Sequence, residues 1–233
     1  MILDDIMAHK REEVEAARRD RPIDELEAEA SDAPPPLPFA AALTDRDTVA
    51  LIAEIKRASP SAGLIREDFD PARIAACYRE AGAAALSVLT DRRFFRGRLA
   101  DLRRAKAAAR LPTLRKDFVL DPYQVYEARA AGADAILLIV RVLSDEQLRG
   151  LLDVARGLGM AALVEAHAAD EVERAVAAGA RTIGVNNRDL DTLAVDLHTT
   201  EVLAPQIPAD RVIVSESGIA ARSDVERLAR CGC

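Results

Sequence analysis

The strongest constraint on this chain is a repeat. Ala81-Gly82-Ala83, Ala131-Gly132-Ala133 and Ala178-Gly179-Ala180 each stand where an alanine-rich polar stretch gives way to an apolar run. A glycine at such a point supplies the left-handed residue that ends a helix, and the small flanking residues let that helix close onto the next strand. Cys231-Gly232-Cys233 falls where a fourth such turn belongs. The apolar runs cover 49–55, 84–89, 111–115, 134–140, 160–164, 181–185 and 211–215. Between and after them lie Ala/Leu/Arg-rich stretches near 71–81, 99–109, 122–131, 144–157, 168–178, 197–204 and 221–230. Continuous apolar strands alternating with helices specify a parallel sheet covered by helices.

A single α/β barrel runs to ~200–250 residues, and this chain has 233. The expected fold is therefore α/β, a TIM (β/α)8-type barrel, with residues 1–233 as one domain. Residues 1–48 form an N-terminal helical extension and a proline-rich connector, and residues 49–233 hold barrel strands 1–7 and helices 1–7. By this count the eighth βα unit is missing from the chain. The extension reads as helix over 1–30, with Ile2, Ile6, Val14 and Leu26 spaced among charges. The stretch Asp32-Ala33-Pro34-Pro35-Pro36-Leu37-Pro38 cannot be helix interior.

Bulk properties narrow the function. No apolar run approaches the ~18–20 residues of a membrane span, and the charged start Met1-Ile2-Leu3-Asp4-Asp5 is no signal peptide. A net charge of −7 argues against a nucleic-acid surface but is compatible with an anionic small substrate. The three cysteines are sparse and odd in number, which suggests a reducing, cytoplasmic setting. His9, His167 and His198 form no metal-ligand spacing and read as surface or loop residues. Only Lys10, Lys56, Lys106 and Lys116 are lysines among 32 basic residues. Lysine, unlike arginine, can titrate when its surroundings shift it, so lysines at strand ends invite a chemical reading.

Function in a parallel barrel gathers at the C-terminal strand ends, and residues two apart share a face. Ile52, Glu54 and Lys56 are in phase, as are Leu114 with Lys116, Leu163 with Glu165, Gly184 with Asn186, and Val214 with Glu216. Each strand is apolar and then shows a polar group in phase with the interior. Two lysines, three glutamates and an asparagine are thus expected at one barrel mouth. The simpler alternative is that strands turn polar where they meet water. Mixed acids and amines in a cleft shift one another's pKa and suit general acid–base work.

These motifs resemble those of the indole-3-glycerol phosphate synthase family. The first strand and its loop read Glu54-Ile55-Lys56-Arg57-Ala58-Ser59-Pro60-Ser61-Ala62-Gly63, similar to the family's E-x-K-x-x-S-P-S-x-G signature. In order follow Ser87-Val88-Leu89-Thr90-Asp91, Phe94-Phe95-Arg96-Gly97, Leu114-Arg115-Lys116-Asp117-Phe118, Leu137-Leu138-Ile139-Val140, Leu163-Val164-Glu165, Val185-Asn186-Asn187-Arg188-Asp189-Leu190 and Ser215-Glu216-Ser217-Gly218-Ile219. Ile2-Leu3 and Lys10-Arg11-Glu12-Glu13-Val14 resemble the family's extra N-terminal helix.

The resemblance implies a lyase of tryptophan biosynthesis acting on 1-(o-carboxyphenylamino)-1-deoxyribulose 5-phosphate. Such an enzyme closes the indole ring, releases CO2 and water, and needs no cofactor or metal. It implies Lys116 as the acid that protonates the ketone oxygen. Lys56 would pair with the substrate carboxylate or phosphate and share acid duty, and Glu165 with Lys56 would serve dehydration. Glu54 and Asn186 would orient the lysines and the substrate hydroxyls. Glu216 and Ser217 would contact the ribulose hydroxyls, and Arg188 would hold the carboxylate or brace Glu54. Pro60, Phe95, Phe118 and Leu137 would enclose the anthranilate ring. Ser59 and Ser61 with Gly63 would form a mobile loop over the site. Gly218 supplies half of a phosphate site whose other half belongs to the missing eighth unit. The implied partner is a small phosphosugar, with neither nucleic acid nor membrane, and the chain would be a monomer or associate weakly through its open edge. Two alternatives stand beside this reading. One is a silent or weak barrel of the same family that needs a complementing segment. The other is a phosphosugar isomerase, which would call for a different acid–base pair.

Overall fold

Pro22 breaks the N-terminal helical stretch. A residue before proline is driven out of the α region, so the single helix expected over 1–30 is instead α1 (Ile2–Asp20) and α2 (Ile23–Asp32). The computed structural model describes residues 2–45 and 48–233. Met1, Arg46, Asp47 and the side chain of Ile2 lie outside the described residues, and with them small parts of the expected extension. One stripe of α1 is buried: Leu3, Ile6, Met7, Lys10 and Val14. A third helix, α3 (Phe39–Thr44), follows the proline connector. Six residues are too few to show a helical period, which is why it is absent from the sequence reading.

After α3 come β1 (Ile52–Ile55), β2 (Ala58–Ser59), β3 (Gly63–Leu64), α4 (Pro71–Glu80), β4 (Ala85–Leu89), α5 (Leu99–Ala109), β5 (Thr113–Lys116), α6 (Pro122–Ala130) and β6 (Ala135–Ile139). The chain continues through α7 (Asp145–Gly157), β7 (Ala161–Ala166), α8 (Ala169–Ala177), β8 (Thr182–Asn186), α9 (His198–Leu203), β9 (Val212–Glu216) and α10 (Arg222–Ala229). Seven strands form one parallel sheet in the order β1-β4-β5-β6-β7-β8-β9. β2 and β3 are a separate antiparallel ladder, so the segment after the first strand folds back as a short hairpin. β1 starts at Ile52 and not at 49; Val49 and Leu51 before it are exposed. The glycines of the Ala-Gly-Ala turns are left-handed, with φ of 87° at Gly82, 86° at Gly132 and 85° at Gly179, and Gly232 matches them at 87°.

Strand alternation divides the apolar residues between two layers. Ala85, Leu114, Leu137, Ile139, Leu163, Ile52 and Val214 point inward and pack together, with Phe39 of α3 joining them. Ile55, Leu86, Val88, Ile136, Leu138, Val164, Ile183 and Val185 point outward into the helices. Asp134, fully buried, ties the connector to the sheet. It accepts from Leu37 N (2.7 Å) and Thr113 N (2.7 Å) and pairs with Lys106 (2.5 Å). The two outer strands, β1 and β9, do not pair with each other. All five residues of β8 are buried, whereas all five of β9 are only half-buried.

Candidate active site

The inward phase that carries Ile52, Leu114, Leu163 and Val214 continues into Glu54, Lys116, Glu165 and Glu216 at the strand ends. The register sets Asn186 beside Glu216 and Glu165 beside Gly184. Gly184 has a steric task, because a Cβ there would collide with Glu216 Oε1.

Lys116 Nζ lies 2.9 Å from Glu216 Oε2 and 3.7 Å from Glu54 Oε2. Lys56 Nζ donates to Glu54 Oε1. Glu54 thus faces both lysines, as expected. Asn186 differs from expectation: its Nδ2 donates to Glu165 Oε1 at 2.9 Å and its Oδ1 accepts from Arg188 N at 3.0 Å. It orients Glu165, not the lysines. Arg188 does not brace Glu54 either. Its Nη1 donates to Leu193 O at 2.8 Å, and among the described residues it forms no ion pair. Glu216 is engaged by Lys116, and its Oε1 is buried without a hydrogen-bond partner.

Charge states follow from these contacts. Burial lowers the Lys116 ammonium's proton affinity, but Glu216, Glu54 and Glu165 outweigh it, so its pKa is raised and it stays protonated at neutral pH. Burial would lift the Glu54 carboxyl, yet Lys116 and Lys56 hold it below the usual range. Glu165 goes the other way. Burial first, and then the neighbouring Glu216, push it up to about 7 against the pull of Lys116.

Phe95 and Phe118 stand with ring centroids 6.2 Å apart at the mouth, and Phe118 packs with the interior layer that contains Leu137. Ser59, Pro60 and Ser61 lie on the hairpin, where Ser59 Oγ accepts from Ala62 N at 3.1 Å. Among the described residues none of the three bonds to the mouth lysines. Ser217 (φ 68°) and Gly218 (φ 79°) are consecutive left-handed residues that turn the chain away after β9. His167 lies in the bend after β7, as a loop residue, and His9 is half-buried on α1. His167 Nδ1 lies 2.7 Å from Asn186 O, and His9 meets Phe94 edge-on at 6.0 Å.

Sequence reasoning missed the groups on the other face of the same strand ends. Lys10 of α1 is buried and contacts Glu13 (2.7 Å), Asp91 (2.9 Å) and Asp117 (2.9 Å). Asp117 also accepts from Thr90 Oγ1 (2.6 Å) and Arg115 Nη2 (3.1 Å). Asp91 Oδ1 accepts from Phe94 N (2.7 Å) and Phe95 N (3.2 Å). The available signal was phase, since Arg115 and Asp117 flank Lys116 and must point toward the helices. Asn187 was likewise given no role. It donates to Ser215 Oγ (2.9 Å) and Glu216 O (2.9 Å), which holds the end of β9.

A sequence profile of the indole-3-glycerol phosphate synthase family matches residues 3–233. The chain belongs to the indole-3-glycerol phosphate synthase family. Indole-3-glycerol phosphate synthase 2 of Ralstonia nicotianae is 53% identical over 99% of this chain and 87% of its own length. The indole-3-glycerol phosphate synthase of Roseiflexus castenholzii is 54% identical over 94% of this chain and 84% of its own length. Among solved structures, an N-acetylmannosamine-6-phosphate 2-epimerase from Clostridium perfringens shares the fold, with a TM-score of 0.60 at 15% identity over 78% of this chain and 82% of its own. Family membership therefore rests on residues 3–233 as a whole and not on one motif. Among the described residues no helix is long and apolar enough to cross a membrane.

Proposed function

We propose that this protein is an indole-3-glycerol phosphate synthase of tryptophan biosynthesis. It converts 1-(o-carboxyphenylamino)-1-deoxyribulose 5-phosphate to indole-3-glycerol phosphate, CO2 and water. The observation that carries the reading, beside family membership, is a protonated Lys116 between Glu216 and Glu54 with a Glu165 of pKa about 7 within its field. Ring closure turns a ketone oxygen into a hydroxyl, which needs a proton donor as the aromatic carbon attacks; Lys116 is that donor. Loss of CO2 restores electrons to the ring. Dehydration then removes a proton from carbon and a hydroxyl as water, for which Glu165 is the base and Lys56 the acid. Asn186 holds Glu165, and Glu54 holds both lysines. Glu216 and Ser217 meet the ribulose hydroxyls, and Gly218 approaches the phosphate. Pro60, Leu137, Phe95 and Phe118 enclose the anthranilate ring, with Ser59 and Ser61 at its edge and Arg188 toward its carboxylate.

We read residues 1–233 as one domain that works in the cytoplasm, with α1 and α2 as an extension to the barrel. The described sheet has seven strands, one fewer than a closed (β/α)8 barrel. The free edges of β1 and β9 and the half-buried β9 support this. They also favour a second reading, in which turnover needs a complementing segment and the open edge permits weak self-association. Substrate mixed with the purified chain, with indole fluorescence followed, tests both. Turnover is expected, and Lys116→Ala should lower it by roughly 10²–10⁴-fold. Turnover that appears only after an eighth-unit segment is added supports the second reading. A Lys116→Ala chain as fast as wild type would refute the assignment of Lys116.

A further inference from the structure

A cavity of about 490 Å³ lies on the outer rim of the sheet, lined by Arg57, Arg92, Arg96, Gly97 and Arg98. Arg57 follows Lys56 and is out of phase with it, so its side chain leaves the mouth and faces the helix side. Its guanidinium sits 5.8 Å from the centroid of the Phe69 ring, and its Nε is buried without a hydrogen-bond partner. The other three arginines come from the loop between β4 and α5. Gly97 lets that loop press against β4, because a Cβ there would collide with Leu89 O.

Four arginines line one space, and their like charges repel one another unless negative charge lies between them. The cavity lining holds no acid. Arginines such as Arg73, Arg104 and Arg115 pair with carboxylates elsewhere in the molecule, yet none of these four is in an ion pair among the described residues. Asp101, in the first turn of α5, feels Arg98 and Arg57 and its carboxylate accepts from the Arg98 backbone N–H, but among the described residues no ion pair joins it to either guanidinium. All this sits on a chain whose net charge is −7.

We propose that this cavity is a second, non-catalytic anion site that takes a small ligand bearing two phosphates. Guanidinium forks bind phosphate oxygens in pairs, so four of them exceed what one phosphate can use and suit two. The volume is in the range of small-ligand sites, ~300–1,000 Å³. A ligand there bridges the loop that follows Lys56 and the loop that carries Phe95.

Calorimetric titration of the full chain with pyrophosphate, at fixed ionic strength, tests this. Saturable one-to-one binding is expected. Arg96→Gln with Arg98→Gln should weaken it at least ~10-fold, while thermal midpoint and turnover stay as in wild type. The binding should persist with saturating indole-3-glycerol phosphate, which occupies the mouth. ADP and fructose 1,6-bisphosphate, titrated in parallel, distinguish a nucleotide from a sugar source of the two phosphates. Unsaturable heats, equal binding by the double variant, affinity for inorganic phosphate equal to that for pyrophosphate, or displacement by indole-3-glycerol phosphate would each overturn the proposal. Because the readout is binding, failure here is separable from failure of the synthase reading.

Discussion

Lys116 and Asp117 are neighbours in the chain and belong to two different charge clusters. Lys116 points into the mouth, with Glu54, Glu165, Glu216 and Lys56. Asp117 points outward to Lys10, Arg115, Thr90 and, through Lys10, Asp91. Both clusters mix lysine with carboxylates and both hold one carboxyl low, Glu54 in the mouth and Asp117 outside, but only the mouth also raises one. In the outer one, burial would lift the Asp117 carboxyl, but Arg115 and Lys10 hold it below the usual range. In the mouth, Glu165 rises to about 7 and Glu216 Oε1 has no partner. Burial alone does not decide which way a carboxyl shifts. What differs at Glu165 is the neighbouring Glu216, which with burial leaves its proton exchangeable near neutral pH.

The largest expected effect breaks the outer cluster. Lys10→Met leaves Asp91 and Asp117 buried without their shared cation and should cost about 3–5 kcal/mol in urea unfolding. A loss under about 1 kcal/mol would mean that α1 is not a brace for these strand ends.

The next effect tests the mouth through pH. Glu165 is raised above its ordinary 4.5 to about 7 in the folded chain. Between those values the folded state holds a proton that the unfolded state has lost. Stability from this group is therefore full below about 4.5, falls as pH rises to about 7, and is flat beyond. The base form, and hence dehydration, rises over the upper part of that window. Glu165→Gln should flatten both the stability slope and the rate limb near neutrality, with turnover reduced by roughly 10²-fold. Unfolding and rate profiles from pH 5 to 8 provide the check, and a rate limb that survives in the variant would assign it to another group.

The smallest effect sharpens the contrast. Ser87 is an inward residue of β4 whose buried hydroxyl has no partner. Ser87→Ala should be neutral or stabilising by under ~1 kcal/mol. A clear loss of turnover with unchanged stability would show instead that this hydroxyl serves the substrate.

Much of this was legible because it is periodic. The seven strands, the helices between them and the helix-ending glycines follow from runs, spacing and small-residue turns. The inward set Glu54, Lys116, Glu165, Asn186 and Glu216 follows from a period of two. What escaped was aperiodic or long-range. α3 is too short to show a period. The break at Pro22 was readable from the rule on residues before proline and was overlooked. The partners of Asn186 and Arg188 depend on which neighbour each side chain meets across the ladder, and strand phase does not contain that information.

The sequence by itself determined the alternation of strand and helix, the face each strand end presents, and the family, since these depend on local order and residue type. The tertiary structure alone decided that Lys10, 107 positions before Asp117, closes a charge cluster behind the mouth, that Gly184 makes room for Glu216, and that four arginines from two loops share one cavity. The physical reason is that electrostatic energy depends on distance and burial, and both are set only when distant segments pack.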